Sequence, residues 1–306
     1  MHGWIIFDKP TGLGSTQAVA AVKRNLHEAG HGKVKVGHGG TLDPLASGVL
    51  PIAIGEATKL CGRMLDASKI YDFTITFGTE TSGLDAEGEV VATSDIRPAM
   101  AQIESVLPRF MGTIEQIPPT YSAIKIDGKR AYDRARSGEI VEMPSRTVTI
   151  YALRVAAPPC GQENRTVTGE GVEAVTLSAH VSKGTYIRSL ARDIARALGT
   201  VGHVSMLRRT RAGPFGLEQA ISLDKLNEIG KGAPAKDIIL PLEAGLVDIP
   251  ALDLSPDAAR AIRQGRVLTG VATKDGLYWA RDAEMRALAL VEQIGGALRT
   301  VRGFNL

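Results

Sequence analysis

GHGGTLDPLASGVLPIAIGEATK, residues 37–59, sets a single carboxylate, Asp43, between a glycine-rich run and a proline, with no His, Cys or second acid within four positions. Gly37, Gly39 and Gly40 let the backbone pass close to another body. The segment around VLPIAIG reads as a buried strand, followed by a helix near 57–65. On its own an Asp before Pro is a turn former. In this company it is also a candidate nucleophile or base that works without a metal.

Upstream, a short strand at Trp4–Phe7 leads into the turn DKPTGLGS, and Ser15 is placed to cap a helix whose Val19, Val22 and Leu26 recur at helical spacing. Downstream, YDFTITFG alternates strictly, with Tyr71, Phe73, Ile75 and Phe77 on one face. TSGLDAEGE is a turn-rich connection, and a helix is expected over 98–107. Residues 117–144 are bounded by prolines and carry Lys125, Lys129, Arg130, Arg134 and Arg136, so they read as an excursion from the main body. RTVTIYALRV and VEAVTLSAHVSKG read as strands. TYIRSLARDIARALG reads as a helix capped by Thr185 and ended by Gly199. After ILPLEAGLVDIP the texture changes: a short helix from Ser255–Pro256 to Gly265, then short strands, with a boundary near 245–252. Strands scattered among helices without a regular βαβ beat predict a mixed α+β body and a small β-rich unit.

Composition narrows the function classes. The chain has 306 residues, 44% hydrophobic and 23% charged, with two cysteines, Cys61 and Cys160. Two cysteines cannot staple a protein of this size, and the expected setting is reducing and cytoplasmic. No apolar run approaches the length of a membrane span. The net charge is only +3, yet Lys183, Arg188, Arg192, Arg196, Arg208, Arg209 and Arg211 stand against one acid, Asp193, between 183 and 213. Such a strip suggests either a polyanion footprint or a solvated surface.

HEAGH, 27–31, matches the H-E-x-x-H pattern of zinc hydrolases. That chemistry needs both imidazoles on one continuous helical face. Gly30 and Gly32 flank His31, so the helix is expected to end between His27 and His31, and a polar helix end is the better reading. An enclosed Asp43 would need a cation beside it to remain charged. Arg188 is a candidate: it sits in the first turn of its helix, where the dipole opposes a positive charge and an anion would relieve it. Arg188, Arg192 and Arg196 share one helix face.

At this point the residues carry a resemblance. The 37–59 stretch resembles the active-site motif of the TruB family of tRNA pseudouridine-55 synthases. FDKPTGLGS, IYDFTITFG, IPPTYSAIKIDGKRAYDRARSG, VSKGTYIRSLARDIARALG and VSMLRRTRAGPF follow in the family's order. The ending, GRVLTG to RGF, is similar to the PUA-like domain that closes many bacterial members. The resemblance spans essentially the whole chain. It implies an α+β fold: a pseudouridine-synthase mixed, mainly antiparallel sheet flanked by helices, with the small β-rich unit at the end. The catalytic domain would be 1–248, with 117–144 an RNA-gripping insertion, and 249–306 the PUA-like domain. It also implies an isomerase that flips uridine 55 out of the T loop and converts it to pseudouridine, with neither cofactor nor metal, and that can help tRNA fold. Asp43 would be the catalytic aspartate, with Arg188 paired to it and Asp85 joining that network. Tyr71 would stack on the uracil and Leu207 would line the pocket. His38 would fill the space vacated in the T loop, and Lys9, Lys125, Lys129, Arg130, Arg134 and Arg208 would contact RNA. The partner would be tRNA, through its T stem-loop and acceptor arm, bound by a monomer without an obligate protein partner. One turn departs from the family: in TETSGLDAEG, Ser82 and Gly83 replace the usual Asp and Thr.

Overall fold

The computed structural model describes residues 1–122, 124–126, 128–139, 141–156, 171–271 and 273–306, and only the backbone of 125, 130, 135 and 136. Its centre is a sheet in the order Gly3–Lys9, Ser47–Ile54, Gly202–Ala212, Lys69–Phe77, Ala174–Val181, Arg146–Val155, Gly112–Gln116. Val36–His38 adds to the Ser47–Ile54 strand, and Phe215–Gly216 to the Gly202–Ala212 strand. The described pairings in this sheet are antiparallel except one. Ser47–Ile54 runs parallel to Gly202–Ala212, with Arg208 opposite Ser47 and Arg209 opposite Gly48.

Alternation decides which face is covered. Phe73, Ile75 and Phe77 point to one side of their strand, and Val175, Leu177, Ala179 and Val181 lie on that side of the next. The helix Ile187–Ala197 lays Ile187, Leu190, Ala191 and Ile194 over them. Each buried aliphatic or aromatic side chain there contributes roughly 1.5–3 kcal/mol. The helix Ser15–Glu28 closes another side of the same core through Ala18, Val22 and Leu26.

Two caps differ from expectation. Gly14, not Ser15, is the N-cap of the first helix, and its N–H is met by Gln17 Oε1 at 2.7 Å. Ser15 is turned inward toward Leu42. Tyr186, not Thr185, caps the helix Ile187–Ala197, while Thr185 Oγ1 donates to the Ser182 carbonyl. The first helix ends at Glu28 with Gly30 and Gly32 at φ +81° and +66°, so His27 and His31 do not share a helical face.

The last residues form a separate five-stranded sheet in the order Ala251–Asp253, Gly276–Arg281, Ala287–Ile294, Ala297–Gly303, Leu268–Thr269. Ser255 and Pro256 start its helix, Pro256–Arg263, as the sequence suggests. A cluster of Trp4, Leu246, Ile249, Leu290 and Phe304 seals this unit onto the first strand. Among the described residues, no helix is long and apolar enough to cross a membrane.

The parallel pairing leaves no room for a side chain at Gly48. Its φ is +100°, and an added Cβ would lie 2.2 Å from the Arg209 carbonyl oxygen. Gly48→Ala should therefore destabilise the protein by more than about 3 kcal/mol. Gly62 has nothing within 4 Å of the same position and lies in the helix Cys61–Asp66. Gly62→Ala should be neutral or stabilising by up to about 1 kcal/mol. Urea unfolding of the two variants beside the parent checks both; equal midpoints would refute the steric argument.

Candidate active site

Asp43 lies on a loop pinned from both sides by polar groups that reach its backbone. Ser15 Oγ accepts from the Leu42 N–H at 2.8 Å and donates to the Leu42 carbonyl at 3.0 Å. The Pro44 carbonyl accepts from the Gly12 N–H at 2.8 Å and from Lys9 Nζ at 3.3 Å. Ahead of Leu42, Arg209 Nη2 and Nη1 donate to the Gly40 and Thr41 carbonyls, and its Nε to the Val49 carbonyl at 2.7 Å. Gly39 is needed for packing, because a Cβ there would meet Met64 Cβ at 2.5 Å.

The carboxylate itself is 44% exposed and is held at one end: Arg188 Nη2 meets Asp43 Oδ2 at 2.8 Å. The other oxygen, Oδ1, has no partner among the described residues, and Asp43 lines a cavity of about 240 Å³. Arg188 is buried, and both its terminal nitrogens are engaged. Its Nη1 donates to the Gly83 carbonyl at 2.8 Å and to Asp85 Oδ2 at 2.9 Å, and Nη2 donates to the Tyr121 carbonyl at 3.1 Å. The structure thus brings Asp43, Arg188 and Asp85 into one network. The Ser82–Gly83 departure does not disturb it, since Arg188 takes a backbone carbonyl there. Gly83 also sits tightly against Asp85, whose Oδ1 would lie 2.9 Å from an added Cβ.

Tyr71 and Leu207 line the same cavity. They reach it from adjacent strands, with Arg209 directly opposite Tyr71 and Leu207 opposite Phe73. Sequence reasoning missed five further residues here: Lys69, Arg146, Tyr186, Arg209 and Gln116. Lys69 is two residues before Tyr71, and Arg209 two after Leu207. Period-two alternation puts each on its neighbour's face, a signal present in the sequence. Tyr186 lies on the cavity wall with the Arg146 guanidinium 5.5 Å from its ring centroid. Burial pushes the Tyr186 phenol above its usual pKa. The buried Gln116 amide grips the Tyr186 backbone, accepting from its N–H at 2.8 Å and donating to its carbonyl at 3.1 Å.

One expected RNA contact, Lys9, turns out to be structural, and another, Arg208, is ion-paired within the protein. Lys9 is wholly buried, its Nζ donating to the carbonyls of Pro10, Leu13 and Pro44. Desolvation lowers its pKa to about 8, against a raising effect of Asp43. Lys69, also lowered to about 8 by burial, donates to the Met64, Leu65 and Ala67 carbonyls at the end of the helix Cys61–Asp66. Arg208 forms a bidentate pair with Asp8, at 3.0 and 2.8 Å. The basic strip over 183–213 is in fact largely neutralised within the protein. Lys183 pairs with Asp66, Arg192 with Asp193 and Arg196 with Glu80, while Arg209 is 1% exposed. Of the excursion, Lys129 is exposed, Arg134 pairs with Glu139 at 2.7 Å, and the side chains of Lys125 and Arg130 lie outside the described residues. His38 is partly buried at the end of the Val36–His38 strand; burial, then the charge of Arg209, lowers its pKa.

A larger groove, about 700 Å³, opens between the helix Cys61–Asp66 and the C-terminal sheet. It contains none of the Asp43, Arg188 and Asp85 set, and two of its cations are engaged, Arg63 by Asp248 and Lys59 by Glu56. The Asp43–Arg188 pair faces the smaller cavity instead.

Comparison with known proteins bears on the family of the chain. Residues 24–187 match the model of the TruB family pseudouridylate synthase N-terminal domain, and 188–247 match a tRNA pseudouridylate synthase B C-terminal domain. Residues 249–305 match the tRNA pseudouridine synthase II C-terminal model. The tRNA pseudouridine synthase B of Novosphingobium aromaticivorans is 67% identical over all of this chain and 98% of its own length. That of Zymomonas mobilis is 55% identical over 100% of this chain and 96% of its own. Among solved structures, a chain of a Cbf5-Nop10-Gar1 complex superposes with a TM-score of 0.73 at 28% identity, over 99% of this chain and 85% of its own. A chain of an H/ACA RNP bound to a substrate RNA containing 2'-deoxyuridine gives 0.73 at 26% identity, with the same coverage. With family models matching nearly end to end and relatives this close, the chain belongs to the TruB family of pseudouridylate synthases.

Proposed function

We propose that this chain isomerises uridine 55 in the T loop of tRNA to pseudouridine, with Asp43 as the catalytic carboxylate. The observation that carries this reading is a cavity-lining, half-exposed carboxylate with one oxygen fixed by a buried Arg188 and the other without a partner among the described residues. The reaction breaks the N1–C1′ bond, forms C5–C1′, removes the C5 proton and returns a proton to N1, so it balances without a co-reactant. Sugar attack, base addition and ribose proton removal would all use the same open oxygen.

A cavity of about 240 Å³ is far too small for a duplex, so the target base must leave its stack, at a cost of a few kcal/mol. Tyr71 offers a ring to the everted uracil, Leu207 an apolar wall, and His38 a ring for the gap left behind. Lys125, Lys129, Arg130 and Arg134 on the excursion grip the stem-loop. The unit at 249–306 acts as a PUA-like module nearer the acceptor arm. One copy of the chain, in the cytoplasm, suffices in this reading, and tRNA folding can accompany catalysis.

A T stem-loop carrying tritium at the C5 of its uridines tests the assignment. The parent chain should release tritium, and Asp43→Asn should lose at least about a thousandfold of that rate, the scale for removing an essential group. Release from neither, with salt-sensitive RNA binding retained, would leave a binding protein and sink the enzyme. Turnover should also fall as pH rises through about 8. Below that value Lys9 keeps its proton and its charge beside the Asp43 loop; above it the charge is lost. Lys9→Met should remove that part of the alkaline limb and lower stability by about 1–3 kcal/mol through its stranded carbonyls. An unchanged profile would assign the limb to another group.

A further inference from the structure

The only strongly basic surface tract left unpaired close to the site is one that the mechanism above does not use, the turn between the helix Ser15–Glu28 and the strand Val36–His38, taken among the described residues. Lys23, Arg24, Lys33 and Lys35 are all exposed, as are His27 and His31, and Glu28 is the one acid among them. None of these cations is ion-paired among the described residues, whereas Arg188, Arg192, Arg196 and Arg208 all are. Gly230 packs against Asn25 and Glu28, which brings the exposed Lys231 to the same edge.

The tract is continuous with the active site. The Lys35 carbonyl accepts from the Gly55 N–H at 2.8 Å, which fixes the strand's start, and Val36, Gly37 and His38 then pair with Ile54, Ala53 and Ile52. At about 3.3 Å per residue, Lys35 lies roughly 10 Å from His38, along a strand that runs straight into the Asp43 loop. Lysines in the turn leading into this strand, with no ion pair among the described residues, complement a polyanion better than they serve the fold, since exposed cations contribute almost nothing to stability.

We infer that this tract binds the phosphate backbone of the tRNA body outside the stem-loop that enters the cavity. The inference rests on the reading of the chain as a tRNA-modifying enzyme. Duplex RNA reaching past the cavity would meet Lys35 first, then Lys33, then the helix edge at Lys23 and Arg24. Contacts of this kind carry no sequence preference and position the substrate.

The test compares full-length tRNA with an isolated T stem-loop, using the parent chain, the charge-reversed Lys33→Glu/Lys35→Glu and the neutral Lys33→Gln/Lys35→Gln. For full-length tRNA near physiological salt, kcat/KM of the reversed variant should fall about tenfold or more, with kcat unchanged. The slope of log affinity against log salt should drop by about two. The stem-loop should be modified by all three chains within about twofold, and the neutral pair should fall between the other two. Equal losses on both RNAs, or none on either, would overturn the inference. Filter binding of both RNAs, with Asp43→Asn added to each chain, gives the same discrimination without turnover. A parent chain inactive on both RNAs would thus sink the proposed activity while leaving the tract separately decided.

Discussion

One guanidinium joins the parts of this molecule that matter for its chemistry. Arg188 reaches Asp43, the Gly83–Asp85 turn and the Tyr121 carbonyl from the first turn of its own helix, so four distant segments meet on two nitrogens. Arginine suits the place because its planar fork serves several acceptors at once and stays charged when buried. Burying it would be costly if it were left unpaired, so the network is all or nothing: each partner offsets the desolvation of the others. That constraint sets where the loop, the turn and the start of the excursion can lie.

Around it stand three further buried cations with no carboxylate partner among the described residues. Lys9, Lys69 and Arg209 spend their donors on backbone carbonyls: those of 10, 13 and 44, of 64, 65 and 67, and of 40, 41 and 49. Carbonyl oxygens of the 10–13 turn, the Asp43 loop and the end of the helix Cys61–Asp66 are thereby paired. The same arrangement surrounds the cavity with positive charge, which suits a reaction on a polyanionic substrate in which the departing uracil takes on negative charge.

Much of this was legible in the sequence, though unevenly. The lone acid of 37–59 and Arg188 in a helix's first turn both pointed to the pair that the structure contains, and the alternation of residues 71–77 gave the strand and its face. Charge was misread. Lys9, expected at the RNA, is buried, and the 183–213 strip, for which a footprint and a solvated surface were both open, is mostly ion-paired, because a one-dimensional list of cations says nothing of burial. Leu207 and Tyr71 were placed at the pocket, while Arg209, which counted only as part of the basic strip, and Lys69, both two residues away on the same faces, were not. Tyr186 and Gln116 had no local signal at all. Their pairing spans seventy residues and exists only once the edge strand and the helix are side by side.

The one parallel pairing among the described strands of the central sheet joins segments made at different times. Asp43 is made early, but Arg188 and the strand that lies beside Ser47 and Gly48 arrive later by roughly ten to thirty seconds of synthesis. Until then the glycine-rich loop has neither its inner staple from Arg209 nor its clamp on the carboxylate. A nascent chain therefore carries the motif without the site, and the pocket closes only as the last central strand slides in between two already made. A fragment ending before residues 202–212 therefore lacks Leu207 and Arg209, part of the pocket's own lining.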